Sequence, residues 1–266
     1  MAGVVDALKC VVRVSRPRGW LAYFWMSVIG FLGGVFQDAF STCIFLYGMV
    51  SYLASIFAVN NLFDVLGDSL NPRKKNPLNE GCPVWSVWVV LLNQALFLVF
   101  LAYFGDLGVF AVYVAGLVLG LFYSAPPLRF KGKPGLDVLS HMLYFGAIPY
   151  LFGFFLAGGK LDFNSLVVLA TFMAYSAFLQ LRNLWEDSLY DEITGDRTLF
   201  VLFPKLSTAL LVISGALSGV FATFVIGDVL VALISLAVSV TIGLWLGWER
   251  MVDSLVVLLM TAGVVL

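Results

Sequence analysis

Charge is what this chain has least of. Only 12% of its residues are charged and 61% are hydrophobic, with a mean hydropathy of +1.00. That balance excludes a water-soluble globular domain, in which roughly a quarter of residues carry charge. Histidine occurs once, at His141, and cysteine three times, at Cys10, Cys43 and Cys82, with no C-x-x-C pair. Neither a zinc site nor a dithiol centre is encoded by spacing. The cysteines read as ordinary small apolar residues, and His141 as a packed or hydrogen-bonded histidine inside a helix. A P-loop, a G-x-G-x-x-G at a strand–helix junction and a G-x-S-x-G elbow are also missing from the sequence, which removes the chemistries those motifs serve. The net charge of −1 says nothing by itself about partners, and no nucleic acid is expected.

What the chain does have is long uncharged runs, at 19–37, 39–63, 81–105, 107–128, 138–159, 163–181, 206–227 and 229–248, with a shorter one at 254–266. A bilayer span needs roughly 20 apolar residues, so each of the first eight is long enough. They are apolar all round, without the alternation of a membrane barrel. The predicted fold class is therefore an all-α membrane protein of about nine transmembrane helices. Residues 3–15 read as a short interfacial helix ahead of the first span.

Lys and Arg are distributed unevenly between the two sets of loops. Lys9, Arg13, Arg16, Arg18, Arg73, Lys74, Lys75, Arg129, Lys131, Lys133, Arg182, Arg197, Lys205 and Arg250 fall on one side, and Lys160 alone on the other. Basic residues in short loops stay in the cytoplasm. The N-terminus and the loops at 64–80, 124–137 and 182–205 are thus expected there, and only these loops are large enough to hold a site.

The pattern N-x-x-x-D-x-x-x-D occurs twice, as Asn60, Asp64 and Asp68 and again as Asn183, Asp187 and Asp191. Positions four apart share one helix face. Each copy lies at the cytoplasmic, C-terminal end of a helix, where the macrodipole disfavours carboxylates by about 0.3–1 kcal/mol and the i,i+4 repulsion adds roughly 0.2–0.5 kcal/mol. Helix stability gives no reason for such a placement, whereas a divalent cation on a phosphorylated ligand does: Mg²⁺ takes hard oxygens from one or two carboxylates together with phosphate. Each copy ends the second helix of a four-helix set. The chain therefore divides into parallel repeats, 1–128 and 129–248, around a central cavity, with 249–266 as the last helix. Asn60 and Asn183 supply amides, and Arg73, Lys75, Arg129, Lys131 and Arg182 supply cations for a diphosphate. The same cations also serve the positive-inside bias.

These residues resemble a known family. The doubled motif, with Gly195 after Asp191, is similar to the two aspartate-rich motifs of the UbiA superfamily of intramembrane prenyltransferases. Tyr123-Ser124-Ala125-Pro126-Pro127-Leu128-Arg129-Phe130-Lys131 resembles its Y-S-x-P-P-x-R-x-K loop, and Arg16-Pro17-x-x-Trp20 its lead-in. Three differences stand out: Asn61 replaces an Asp found in many members, Gly195-Asp196-Arg197-Thr198-Leu199 is one residue tighter than usual, and Asn71-Pro72-Arg73-Lys74 resembles the carotenoid-elongase branch.

The resemblance implies an Mg²⁺-dependent enzyme, with Mn²⁺ as a substitute. It would move an isoprenyl group from an isoprenyl diphosphate, geranyl to geranylgeranyl, onto a lipophilic acceptor through an allylic carbocation. Asp64, Asp68, Asp187 and Asp191 would be the metal-binding and catalytic residues. Tyr123, Arg129 and Lys131 would correspond to diphosphate-binding positions. A carotenoid end, an ether-lipid glycerol phosphate, a quinone-ring precursor and a tetrapyrrole all stay open as acceptor, with membrane lipids around the protein. The alternatives are a transporter with parallel repeats, whose polar groups would gather near the midplane, and a relative that binds isoprenoid or lipid without catalysis.

Overall fold

Segments too apolar for water and too long for strands form helices throughout the described chain. The computed structural model describes residues 2–72 and 74–226, with three isolated later positions, 234, 237 and 241. The helices are α1 (Ala2–Ser15), α2 (Leu21–Leu32), α3 (Ala39–Phe63), α4 (Val65–Leu70), α5 (Trp85–Phe104), α6 (Leu107–Ser124), α7 (Leu136–His141), α8 (Ile148–Leu156), α9 (Phe163–Thr194), α10 (Leu199–Leu202) and α11 (Pro204–Ile226). A π-helical turn, Met142–Ala147, joins α7 to α8. No strand occurs among the described residues. Among the described residues, five helical stretches are long and apolar enough to cross a bilayer: α3, α5, α6, the joined Leu136–Leu156 and α9. The chain is an all-α integral membrane protein. Apart from positions 234, 237 and 241, the expected helices at 229–248 and 254–266, and Arg250 with them, lie outside the described residues, so a count of nine is not reached.

The helix starts on the side away from the motifs are conventional. Asp38, Asp106 and Asp162 each cap α3, α6 or α9, accepting hydrogen bonds from first-turn backbone N–H groups at 2.7–2.8 Å. There the positive end of the dipole favours a carboxylate. The backbone and side-chain hydrogen bonds from Ser41 and Ser165 hold Asp38 and Asp162 below the usual carboxylate pKa. These acids are spoken for locally, unlike those of the repeated motif.

Small residues set the helix spacing, as is usual where both lipid and protein are apolar. A Cβ on Gly30 would lie 2.2 Å from the Tyr150 carbonyl oxygen, and one on Gly153 2.4 Å from that of Ser27. Backbone therefore meets backbone between α2 and α8. Helix α2 is shorter than its uncharged run because it ends at Gly33-Gly34, where the Val35 and Phe36 amides turn to the Ala157 carbonyl at 2.7 and 2.8 Å. Around these contacts lies one core rich in aromatic rings, including Tyr52, Tyr113, Tyr144, Phe152, Phe172 and Tyr175, each at most 1% exposed.

The segment expected as a short helix ahead of the first span is helical, as α1. Val5, Leu8 and Val12 project outward, while Val14 packs under α3 and α5. The cysteine reading is corrected for two of the three residues. Cys10 and Cys82 form a disulfide with Cα atoms 5.4 Å apart, and only Cys43 is free. Packing of α1 against the start of α5 brings together residues that lie 72 positions apart in the chain, a proximity that spacing alone does not encode.

Candidate active site

Helix α3 stops at Phe63. Asp64 is its C-terminal cap with φ −102° and ψ 6°, and the chain resumes as α4. The first motif therefore straddles a break, rather than running along one unbroken helix face as expected. The i,i+4 spacing survives because Asp64 N–H donates to the Asn60 carbonyl at 3.0 Å and Asp68 N–H to that of Asp64 at 2.8 Å. The second motif lies wholly within α9, a continuous helix of 32 residues closed by Gly195 in the left-handed region.

The loop after α4 is pinned from inside. Buried Asn76 donates through Nδ2 to the Asn61 carbonyl at 2.8 Å and to Asp68 Oδ2 at 3.1 Å, and its Oδ1 accepts from Leu78 N–H. Asn61 donates to the Val14 carbonyl at 2.7 Å and so ties α1 to α3.

Lysines bind the two motifs together. Lys74 Nζ lies 2.6 Å from Asp187 and 3.9 Å from Asp68, one carboxylate from each motif. Lys131 pairs with Asp64, whose other oxygen accepts from Asn60 Nδ2 at 2.8 Å. Asn71 Nδ2 adds a 3.1 Å hydrogen bond to Asp187. Arg129 forks onto both oxygens of Asp196. Arg129 and Arg16 both hold left-handed backbone, φ 38° and 49°, a conformation that costs a non-glycine residue about 1–2 kcal/mol and clusters at functional sites. Burial raises the carboxyl pKa of Asp68, against the opposing pull of Lys74, Arg16 and Asn76. Burial also lowers that of the Lys131 ammonium, against the attraction of Asp196 and the second-motif acids.

Two neighbouring cavities open among these groups. One, of about 220 Å³, is lined by all four motif aspartates together with Asn71, Lys74, Arg129, Lys131 and Asp196. The other, of about 320 Å³, shares Asp64, Lys74, Lys131, Asp187, Asp191 and Asp196 at its polar end. It runs down to Tyr23, Phe57, Tyr123, His141, Tyr144 and Phe145. Tyr123 hydroxyl accepts from Gln180 at 2.8 Å, and His141 stands edge-on to Tyr144 and Phe145. A charged mouth thus leads to an aromatic floor.

Among the described residues no three His, Cys, Asp or Glu side chains are grouped tightly enough to hold a metal unaided. The donor set nevertheless fits Mg²⁺. The aspartates lining the smaller cavity outnumber its cations, and Mg²⁺ completes its shell with phosphate and water rather than with a protein cage.

Of the residues expected from sequence, Asn60, Asp64, Tyr123, Lys131, Asn183, Asp187 and Asp191 line the larger cavity, and Asp68 and Arg129 the smaller. Two do not come to either. Lys75 is exposed, and Lys74 beside it makes the bridge. Arg182 lies outside both linings, largely buried with Nε 3.9 Å from Glu186, and its Nε and Nη1 lack hydrogen-bond partners. Arg73 falls outside the described residues. Sequence reasoning did not assign Arg16, Lys74, Gln180, Asp196 or Thr198 to the site. Lys74 was legible only as one of three consecutive cations, and Asp196 only as an acid five residues past the motif.

Comparison with known proteins gives the family and the fold. Residues 20–255 match the UbiA prenyltransferase family. A lycopene elongase/hydratase from Haloarcula japonica is 33% identical over 152 residues, covering 54% of this chain and 51% of that protein. One from Corynebacterium glutamicum is 24% identical over 206 residues, covering 69% and 66%. The chain spans about half to two thirds of the length of these relatives. The structure of a UbiA homolog from Archaeoglobus fulgidus bound to DMAPP and Mg²⁺ superposes with a TM-score of 0.69 at 18% identity, covering 96% of this chain and 99% of that one. It is the fold that the two share.

Proposed function

Because this chain belongs to the UbiA prenyltransferase family, we propose that it transfers an isoprenyl group within the membrane from an isoprenyl diphosphate to the end of a carotenoid. The observation that carries the reading is the single cavity with carboxylates and lysines at one end and aromatic rings at the other. Diphosphate release needs the first, and an allylic cation kept from water needs the second. The carotenoid acceptor follows the relatives, which are named lycopene elongase/hydratase.

Asp64, Asp68, Asp187 and Asp191 would hold Mg²⁺, with Mn²⁺ as a substitute, and Asn60 and Asn183 stand beside them. When bound, the ion would neutralise charge on the diphosphate oxygens. The protein's own cations do the same work. Lys131, Lys74 and Arg129 supply charge-assisted hydrogen bonds where the leaving group gathers negative charge. Asp68 and Asp187 hold Lys74 across the two motifs. The faces of Tyr23, Phe57, Tyr144 and Phe145 stabilise the allylic cation by cation–π attraction, and their packing excludes water that would capture it. We place the motif side in the cytoplasm, on the distribution of Lys and Arg. The repeats at 1–128 and 129–248 would contribute one motif each.

The test is release of labelled diphosphate by purified protein in detergent. It uses a panel of dimethylallyl, geranyl and geranylgeranyl diphosphates with lycopene as acceptor. Release is expected with Mg²⁺ or Mn²⁺, with a coupled product recovered from the lipid phase. Release indifferent to a chelator would reject the metal assignment, and metal-dependent release without lycopene coupling would reject the acceptor.

A further inference from the structure

The reaction proposed above creates a cation and must end by losing a proton. When the allylic cation takes the π pair of an acceptor alkene, a carbon–carbon bond forms and the positive charge moves to an acceptor carbon. A proton must then leave a neighbouring carbon so that its C–H pair becomes the new double bond. The motif carboxylates and lysines are at the other end of the cavity. At the aromatic floor the polar side chains are tyrosine hydroxyls, the Gln180 amide and His141. Neutral phenols and amides are very weak bases, and a neutral imidazole is the strongest of the three.

His141 is held in the form that makes it a base. The Ser176 hydroxyl donates to the His141 carbonyl at 2.9 Å. It has only one proton, so toward the His141 ring, 2.9 Å away at Nδ1, it can only accept. Nδ1 therefore carries the hydrogen, and Nε2 keeps a lone pair. Nε2 lies 3.5 Å from the hydroxyl of Tyr23, which lines the same cavity. The His141 side of the helix is also built unusually. Its π-helical turn begins at the next residue, and such turns recur at functional sites.

The turn has a traceable cause. Ile148 N–H donates to the Leu143 carbonyl, and Pro149 has no N–H to offer Tyr144. The Tyr144 carbonyl accepts from the Tyr52 hydroxyl at 2.6 Å instead. Opposite, Gly146 lets α9 come close. A Cβ there would lie 2.9 Å from both the Phe172 carbonyl oxygen and Ser176 Cβ, and this approach is what brings Ser176 within reach of His141.

We propose that His141 is the base that ends the reaction, its Nε2 taking the proton from the coupled cation. The imidazolium then passes that proton to water refilling the cavity after product leaves, and the starting tautomer returns. The inference rests on the prenyl-transfer reading, and the test separates the two.

His141→Phe and His141→Gln are compared with wild type for metal-dependent diphosphate release and for the ratio of coupled alkene to diphosphate. Release is expected to stay within about threefold. The ratio should fall by about a hundredfold or more, the scale of general-base catalysis, with prenyl alcohol or a hydrated coupled product in its place. An acceptor deuterated at the carbons beside the coupling position should change the alkene-to-alcohol ratio in wild type but not in the variants. Ser176→Ala removes the tautomer lock without touching the ring, and a smaller shift in the same direction is expected.

An unchanged ratio in the histidine variants overturns the proposal. So does loss of diphosphate release in a variant whose thermal unfolding matches wild type, because the histidine would then act at ionisation. If the histidine variants misfold, Ser176→Ala decides, and an unchanged ratio there overturns it. Failure of wild type to release diphosphate would strike the prenyl-transfer reading itself.

Discussion

Lys131 and Asp64 offer a perturbation in which stability and turnover should move in opposite directions. Their side chains are 16% and 9% exposed, so the pair is buried. Removing one partner of a buried pair leaves a charge uncompensated and costs about 3–5 kcal/mol. Lys131→Met keeps the length of the chain and its apolar contacts. Asp64 would retain its 2.8 Å hydrogen bond from Asn60 beside a cavity mouth open to water, which places the loss at the lower end, about 3 kcal/mol. Asp64→Asn should cost less, because Asp196 and the second-motif acids still attract the Lys131 ammonium. The double variant strands neither charge and should recover most of the loss, giving a coupling energy of about 2–3 kcal/mol in a double-mutant cycle. Thermal unfolding in detergent and metal-free buffer measures it. Turnover should behave otherwise, because on the reading above both groups face the leaving diphosphate. Loss of one preorganised donor costs about 10²–10³ in rate, and nothing in the double variant replaces it. The double variant should be stable and inactive. Additive stability losses, or turnover returning together with stability, would refute the reasoning.

Three shorter predictions concern other parts of the molecule. Burial raises the Asp68 carboxyl pKa above 3.8, so the folded state holds that proton more tightly than the unfolded chain; its stabilising effect is complete below pH 3.8 and is lost as pH rises through the folded value. Asp68→Asn in metal-free buffer should flatten that decline, and identical slopes for wild type and variant would show that Asp68 does not titrate there. Cys10→Ser opens a covalent loop across 72 positions and should destabilise the protein by about 2–4 kcal/mol, whereas an unchanged unfolding midpoint would show that the bridge constrains nothing. Gly30→Ala pushes a methyl against the Tyr150 carbonyl oxygen; overpacking of this kind costs about 1–3 kcal/mol or more, and normal yield and midpoint would mean that α2 and α8 can separate freely.

The sequence was most informative where one physical rule dominates. Uncharged length located α3 to the residue, 39–63, because nothing in that run competes with the helix. It overran α2, where two successive glycines end the helix against Ala157, a tertiary contact that no local count contains. The repeated motif was legible because carboxylates at the end of a long uncharged run oppose its dipole, although the break at Asp64 puts Asp68 in the first turn of α4; Asp38, Asp106 and Asp162 proved to be ordinary N-caps. The cations were read less well. Lys74 and Lys75 are chemically alike, and which of them faces the acids depends on a loop path set by Asn76 reaching back to Asp68 and Asn61. The sequence marks His141 as a packed or hydrogen-bonded histidine, and it is both buried and hydrogen-bonded. That its ring also borders the cavity depends on the π-turn, which follows from Pro149 and Gly146 only once α9 is in place.

The two aspartate pairs are mounted on unequal supports. On one side the acids stand on an uninterrupted rod, whose inner turns are held by bonds before and after every residue. On the other, Asp64 is itself the joint between α3 and α4, turned out of helical torsion although its backbone still bonds to Asn60 and Asp68. An arriving anion therefore meets two acids fixed to one rod and two divided between a helix end and the short helix after it.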